Sequence, residues 1–164
     1  MEISSADVPA QSELQRRRAA TAKTVLALLV AVVLLCALAF VSKRFLTPQN
    51  NPPLDIAVRI TILIFGLGAI ALRRTKFAAM RLQDIGALKG EAGLLITLQR
   101  TTILVALLGT AIEVVGFIAT LITANDFYSY GAGLVAVAVL LYCYPTRKQW
   151  ESAVQRFKPD YPVA

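Results

Sequence analysis

Histidine is absent from the 164-residue sequence, which removes the commonest metal ligand and the commonest general base at neutral pH. Cysteine occurs only as Cys36 and Cys143, both inside apolar runs. In the topology derived below their depths differ by well over the ~7 Å that a disulfide tolerates, so both are expected as small apolar packing residues. The chain has no dense aspartate motif, no Ser or Cys beside a base and no cofactor loop. "FGLG" (65–68) lies within a hydrophobic run and is not a nucleotide loop. No catalytic residue, metal ligand or cofactor is therefore expected, and an enzyme ranks last among the functional classes. Charge is also scarce, with 16% charged residues against 57% hydrophobic ones. A mean hydropathy of +0.63 is too high for an ordinary soluble fold.

What the chain has instead is long apolar runs. Residues 24–42, "TVLALLVAVVLLCALAFVS", are uncharged and long enough to cross the ~30 Å hydrocarbon core. The polar lead is long for a signal peptide, the run is long for its apolar region, and no small-x-small cleavage site follows, so this is helix 1. Residues 56–72, 101–124 and 127–145 supply three more spans, the last closed by Pro145. The segment 1–23 is polar and is expected to be disordered or a short juxtamembrane helix. Residues 43–55 and 125–131 are loops on one side. The connector 73–100 reads as an interfacial amphipathic helix with apolar contacts at Phe77, Leu82, Ile85 and Leu88, a hinge at "GEAG" (90–93), and then the start of the next helix. In the tail 146–164, Thr146 to Gln149 has capping-box spacing for a short amphipathic helix over 147–157. Tyr128 and Tyr130 mark one end of the fourth span, and Tyr142, Tyr144 and Trp150 the other, as an aromatic belt does. The expected fold is an all-α membrane protein: a transmembrane domain over 24–145, four helices in two antiparallel hairpins, with an interfacial helix in the connector and another in the tail.

Lys and Arg orient it. Fourteen of the 17 fall in the N-terminal segment, the connector and the tail, while Lys43, Arg44 and Arg59 fall on or near the other side. The positive-inside rule then places both termini in the cytoplasm of a multi-pass protein of the cell membrane. The same rule accounts for the formal charge of +7. The cations are scattered over three segments without a binding motif, so a nucleic-acid partner is not expected; anionic lipid at the basic cytoplasmic segments is.

One carboxylate interrupts the apolar pattern, in "GTAIEVVG" (109–116). At helical spacing Thr102, Ala106, Gly109, Glu113, Gly116, Thr120 and Thr123 share one small, polar face, and Leu104, Leu108, Ala111, Val115, Ile118 and Ile122 share the opposite one. In lipid, small residues admit close helix approach and polar ones bond across the interface, so Glu113 is expected to point into the bundle. An ionised carboxylate there either protonates or finds a cation. Arg59 lies at a similar depth, and an Arg59–Glu113 ion pair is one expectation. The other is that Arg59 snorkels to Asp55, its i−4 neighbour, leaving Glu113 protonated on a threonine hydroxyl. Gly66 and Ala69 offer helix 3 a small surface on helix 2, and Ala132 and Ala136 give helix 4 a small-xxx-small pair.

Paired hairpins with a lone carboxylate among glycines resemble the proteolipid (c-type) subunits of rotary ATPases. "GFIATLIT", "ND" and a last helix ending "LLYCYPTRKQW" resemble small four-span bacterial inner-membrane proteins, some of them similar to a fused pair of proteolipid hairpins. The resemblance covers roughly residues 54–151. Counting back six from Gly116, where many proteolipids carry their ion-binding carboxylate, reaches Thr110, and helix 1 has no glycine repeat. The resemblance thus implies shared architecture without the proton-carrying chemistry. The leading expectation is a non-enzymatic accessory, assembly or scaffold component acting with a membrane-protein partner or with its own copies. A small oligomeric transporter or proton-coupled carrier using Glu113 is the alternative.

Overall fold

The computed structural model describes residues 7–46, 52–76, 79–148, 150 and 152. Helix α1 spans Asp7–Ser42 and runs into a 3-10 turn, Lys43–Phe45; α2 spans Pro52–Lys76, α3 Ala79–Thr123 and α4 Phe127–Cys143. Among the described residues there is no strand. Three helical stretches, Ser12–Ser42, Pro52–Thr75 and Ala92–Thr123, are long and apolar enough to cross a membrane. The fourth, α4, is also apolar but has 17 residues, or ~26 Å at 1.5 Å per residue.

Local chemistry explains the boundaries. Helix α2 opens on Pro52 and Pro53, whose fixed φ suits a first turn, with Asp55 there against the positive end of the helix dipole. Helix α3 ends as Ala124 enters the left-handed region at φ 55. Its N–H donates to the Thr120 carbonyl at 2.8 Å, closing the last turn. The side chain of Asn125 then accepts from the Phe127 N–H at 3.1 Å, an Asx turn that starts α4 at once.

Polar segments outside the apolar runs also pack into the bundle. The segment 1–23 was expected to be disordered or a short juxtamembrane helix; over residues 7–23 it is helical and continuous with the apolar run. Extending an existing helix avoids a new nucleation cost. In addition, Leu14 is buried with Leu94, Leu95, Leu98 and Trp150, and Glu13 pairs with Arg17 at 2.6 Å. Trp150 therefore packs inside the protein, as does Tyr128, whereas Tyr130, Tyr142 and Tyr144 are exposed as a belt requires. The connector is helical from Ala79 and is broken at Gly90, with φ 65 and ψ −172, where the hinge was expected. The proposed apolar contacts of Phe77, Leu82, Ile85 and Leu88 lie outside the described side chains, and most of the tail helix lies outside the described residues.

Only glycine adopts the Gly90 conformation without strain of about 1–3 kcal/mol, although a Cβ there would meet nothing within 4 Å. Gly90→Ala is therefore expected to lower thermal stability in detergent through the backbone alone. A Gly90→Ala protein as stable as the parent would show that the kink does not persist in solution.

The four helices do not pack as two independent pairs. Helices α3 and α4 form a tight antiparallel pair at the centre. Helices α1 and α2 each pack on both of them and barely touch one another. Val25 and Val32 of α1 join Ala106, Ala136 and Leu140 in one cluster, while Val58 and Ile62 of α2 join Ile112, Ala119, Tyr128 and Ala132 in another. The small residues that let backbones approach are concentrated on α3 and α4, which puts that pair in the middle.

Candidate functional site

All seven residues of the small face of α3, from Thr102 to Thr123, are buried, and on the opposite face Leu104, Ala111, Ile118 and Ile122 are exposed. Three contacts show why glycine occupies the seam. A Cβ at Gly116 would overlap that of Ala132 and lie 2.8 Å from the Tyr128 carbonyl oxygen, and one at Gly109 would lie 3.0 Å from Val139 Cγ1. One at Gly66 would lie 2.9 Å from Val135 Cγ1. The small surface of α2 thus meets α4 at Gly66, while Ala69 packs with Val105 of α3 as well as Val139 and Cys143 of α4.

Glu113 is completely buried. Its Oε1 accepts a hydrogen bond from Ser129 Oγ at 2.6 Å and one from the Cys36 thiol at 3.4 Å, so the carboxyl joins α3 to both α4 and α1. Cys36 also approaches the Ser129 carbonyl at 3.9 Å. Room for this comes from Gly133. A Cβ there would sit 2.5 Å from Cys36 Sγ and 3.0 Å from Glu113 Oε2. Thr120 sets the height of Ser129: its hydroxyl accepts from the Ser129 N–H at 3.2 Å and donates to the Gly116 carbonyl at 3.0 Å. The Ser129 N–H lies in the first turn of α4, where a helix has no internal partner to offer. Glu113 Oε2 has no hydrogen-bond partner among the described residues.

The expected Arg59–Glu113 pair does not form. Arg59 Nε donates to Asp55 Oδ1 at 2.9 Å, and the Tyr128 hydroxyl donates to the same oxygen at 2.5 Å. The Arg59 side chain is 60% exposed, with its guanidinium 5.9 Å from the Phe127 ring centroid. The two residues point in different directions. Val58, Ile62, Gly66 and Ala69 turn into the bundle, which leaves Arg59 on the flank of α2. Glu113 instead faces α1 and α4. Residues 128 and 129 thus divide the bonds of the first turn of α4: Tyr128 holds α2 and Ser129 holds α3.

Ser129 and Cys36 were not anticipated. Ser129 lies one turn before Ala132 and Ala136 on the same face of α4, so extending that small stripe by one step would have reached it. Cys36 shares a face with Val25, Val32 and Ala39, which is visible as a face only once packing has chosen it. Cys143 is buried beside Ala69, Val105 and Val139, and both cysteines are free thiols. Among the described residues no group of three or more Cys, Asp or Glu is placed to hold a metal ion.

No family model, curated protein or solved structure matches the chain.

Proposed function

We propose that this chain is a four-span integral membrane protein of the cell membrane, with both termini cytoplasmic, serving as a non-enzymatic accessory, assembly or scaffold component. The observation that carries the reading is the complete burial of Glu113. Its carboxyl is enclosed by three helices and held by a hydroxyl and a thiol, whereas a carrier needs its coupling acid at the wall of a water-filled path. With no cation bonded to it among the described residues, Glu113 is read as a neutral acid whose task is to join helices. An unpaired carboxylate at that depth costs several kcal/mol. Helix α4 completes the fourth span: it is short, but exposed tyrosines at both ends suit headgroup level. The distribution of Lys and Arg supports the orientation.

The carrier reading has one observation in its favour, the buried Oε2 of Glu113, which makes no hydrogen bond among the described residues. Purified protein in vesicles containing a pH dye is expected to leave an imposed proton gradient as intact as in empty vesicles. Affinity purification from native membranes is expected to bring down a membrane-protein partner or further copies of the chain. Gradient loss that Glu113→Gln abolishes would put the carrier first.

A further inference from the structure

Cations that lie far apart in sequence are gathered at one end of the bundle. Leu14 of α1, Leu94, Leu95 and Leu98 of α3, and Trp150 of the tail form one buried cluster. Trp150 is the only tryptophan and is 3% exposed. The segments that supply this cluster, 14–18, 94–100 and 147–150, contain six cations and no acid. Arg17 Nη1 reaches Gln99 Oε1 at 3.4 Å, tying α1 to α3 across 82 residues of chain. Around the cluster, Arg16, Arg100, Arg147 and Lys148 are exposed and Arg17 and Arg18 half-buried. Among the described side chains the acid at this end is Glu13, which Arg17 already engages.

Depth places this surface against phosphate. Thr24 and Thr101 begin the uncharged stretches of α1 and α3. At ~1.5 Å per residue Arg18 lies about 9 Å below Thr24, and Arg100 lies next to Thr101. Those heights fall at or close to the headgroup zone, which is about 5–8 Å deep on each side of the hydrocarbon core. At the same end the Arg73 guanidinium lies 4.1 Å from the Tyr142 ring centroid, so aromatic and basic groups meet there as they do at a membrane interface.

We propose that this end of the molecule is a binding surface for the headgroups of anionic phospholipids, assembled by the Leu14–Leu94–Leu95–Leu98–Trp150 cluster. It rests on the membrane reading above. The cluster does more than accompany the charges: it converts three short basic segments into one surface. Cations merely left on the cytoplasmic side would bind anionic lipid whether or not Trp150 were packed. Cations held by the cluster lose that binding when the cluster is opened, although no charge has changed.

The test is native mass spectrometry of the full chain, released from nanodiscs of equimolar phosphatidylglycerol and phosphatidylcholine. The parent protein is expected to retain phosphatidylglycerol preferentially. Arg16→Gln, Arg100→Gln and Lys148→Gln are each expected to weaken retention about fivefold, the weight of one cation near a charged surface. Trp150→Ala, with every charge kept, is expected to weaken it at least as much, while Trp150→Phe preserves it. Equal retention of the two lipids, or full preference in a helical Trp150→Ala protein, overturns the proposal. If Trp150→Ala does not fold, the three charge variants decide, and unchanged retention in all of them overturns it. A lipid-blind protein that loses a co-purifying acidic protein in those variants also overturns it. Failure of the chain to enter nanodiscs at all would instead overturn the membrane reading.

Discussion

Gly116→Ala is expected to destabilise the bundle by about 3 kcal/mol, the upper end of overpacking costs, measured by thermal or denaturant unfolding in detergent. The added Cβ would overlap the Cβ of Ala132 and lie 2.8 Å from the carbonyl oxygen of Tyr128. Neither neighbour can rotate away, because one is a methyl fixed to its backbone and the other is backbone itself. Relief requires α3 and α4 to separate. Separation also draws Ser129 away from Glu113, since Gly116, Thr120 and Ser129 are linked through the Thr120 hydroxyl. Gly68→Ala is the control. A Cβ there meets nothing within 4 Å, so alanine should be neutral or favourable by up to about 1 kcal/mol of helix propensity. Equal behaviour of the two variants would show that α3 and α4 are not in close contact at this seam.

The second large effect is a coupling. Ser129→Ala removes the 2.6 Å hydrogen bond to Glu113 and leaves the buried carboxyl only the weaker thiol of Cys36. The loss is expected to be about 1–3 kcal/mol, the cost of an unsatisfied buried polar group. With Glu113 already replaced by leucine, Ser129→Ala should cost much less, because no carboxyl remains to be left unpaired. A double-mutant cycle on Ser129 and Glu113 should therefore give a coupling of about 1–2 kcal/mol. The matching cycle on Arg59 and Glu113 should be additive within about 0.5 kcal/mol, because Arg59 spends its bond on Asp55. Additive losses at Ser129, or coupling at Arg59, would mean that the carboxyl has a different partner in the membrane.

The two cycles mark where the sequence was legible and where it was not. The seam of α3 could be read from spacing alone, since seven small or polar residues at steps of three and four define a face whatever lies opposite. The direction of Glu113 followed from that face. The identity of its partner did not. Depth made Arg59 a candidate, but depth is a single coordinate, and the rotation of α2 about its own axis depends on which side of it packs. Val58, Ile62, Gly66 and Ala69 settled that side, and Arg59 was left on the flank. Likewise, a threonine hydroxyl was the anticipated alternative partner, yet each described threonine of the α3 seam bonds back along its own helix. Thr102 donates to Leu98, Thr120 to Gly116 and Thr123 to Ala119. The free hydroxyl came from Ser129 on the neighbouring helix.

Composition and periodicity determined by themselves that this chain is helical, that its runs are long and apolar enough for a membrane, and that Glu113 faces protein. Each of these follows from local quantities: the length of a run, the spacing of a face and the cost of placing charge in lipid. Tertiary structure alone decided that α3 and α4 form the centre, that α1 and α2 stand apart, and that Cys36, Ser129 and Gly133 enclose the carboxyl. It also decided that Trp150 reaches back to Leu14. Those outcomes depend on which close approaches the glycines and alanines permit between helices, and no single helix carries that information.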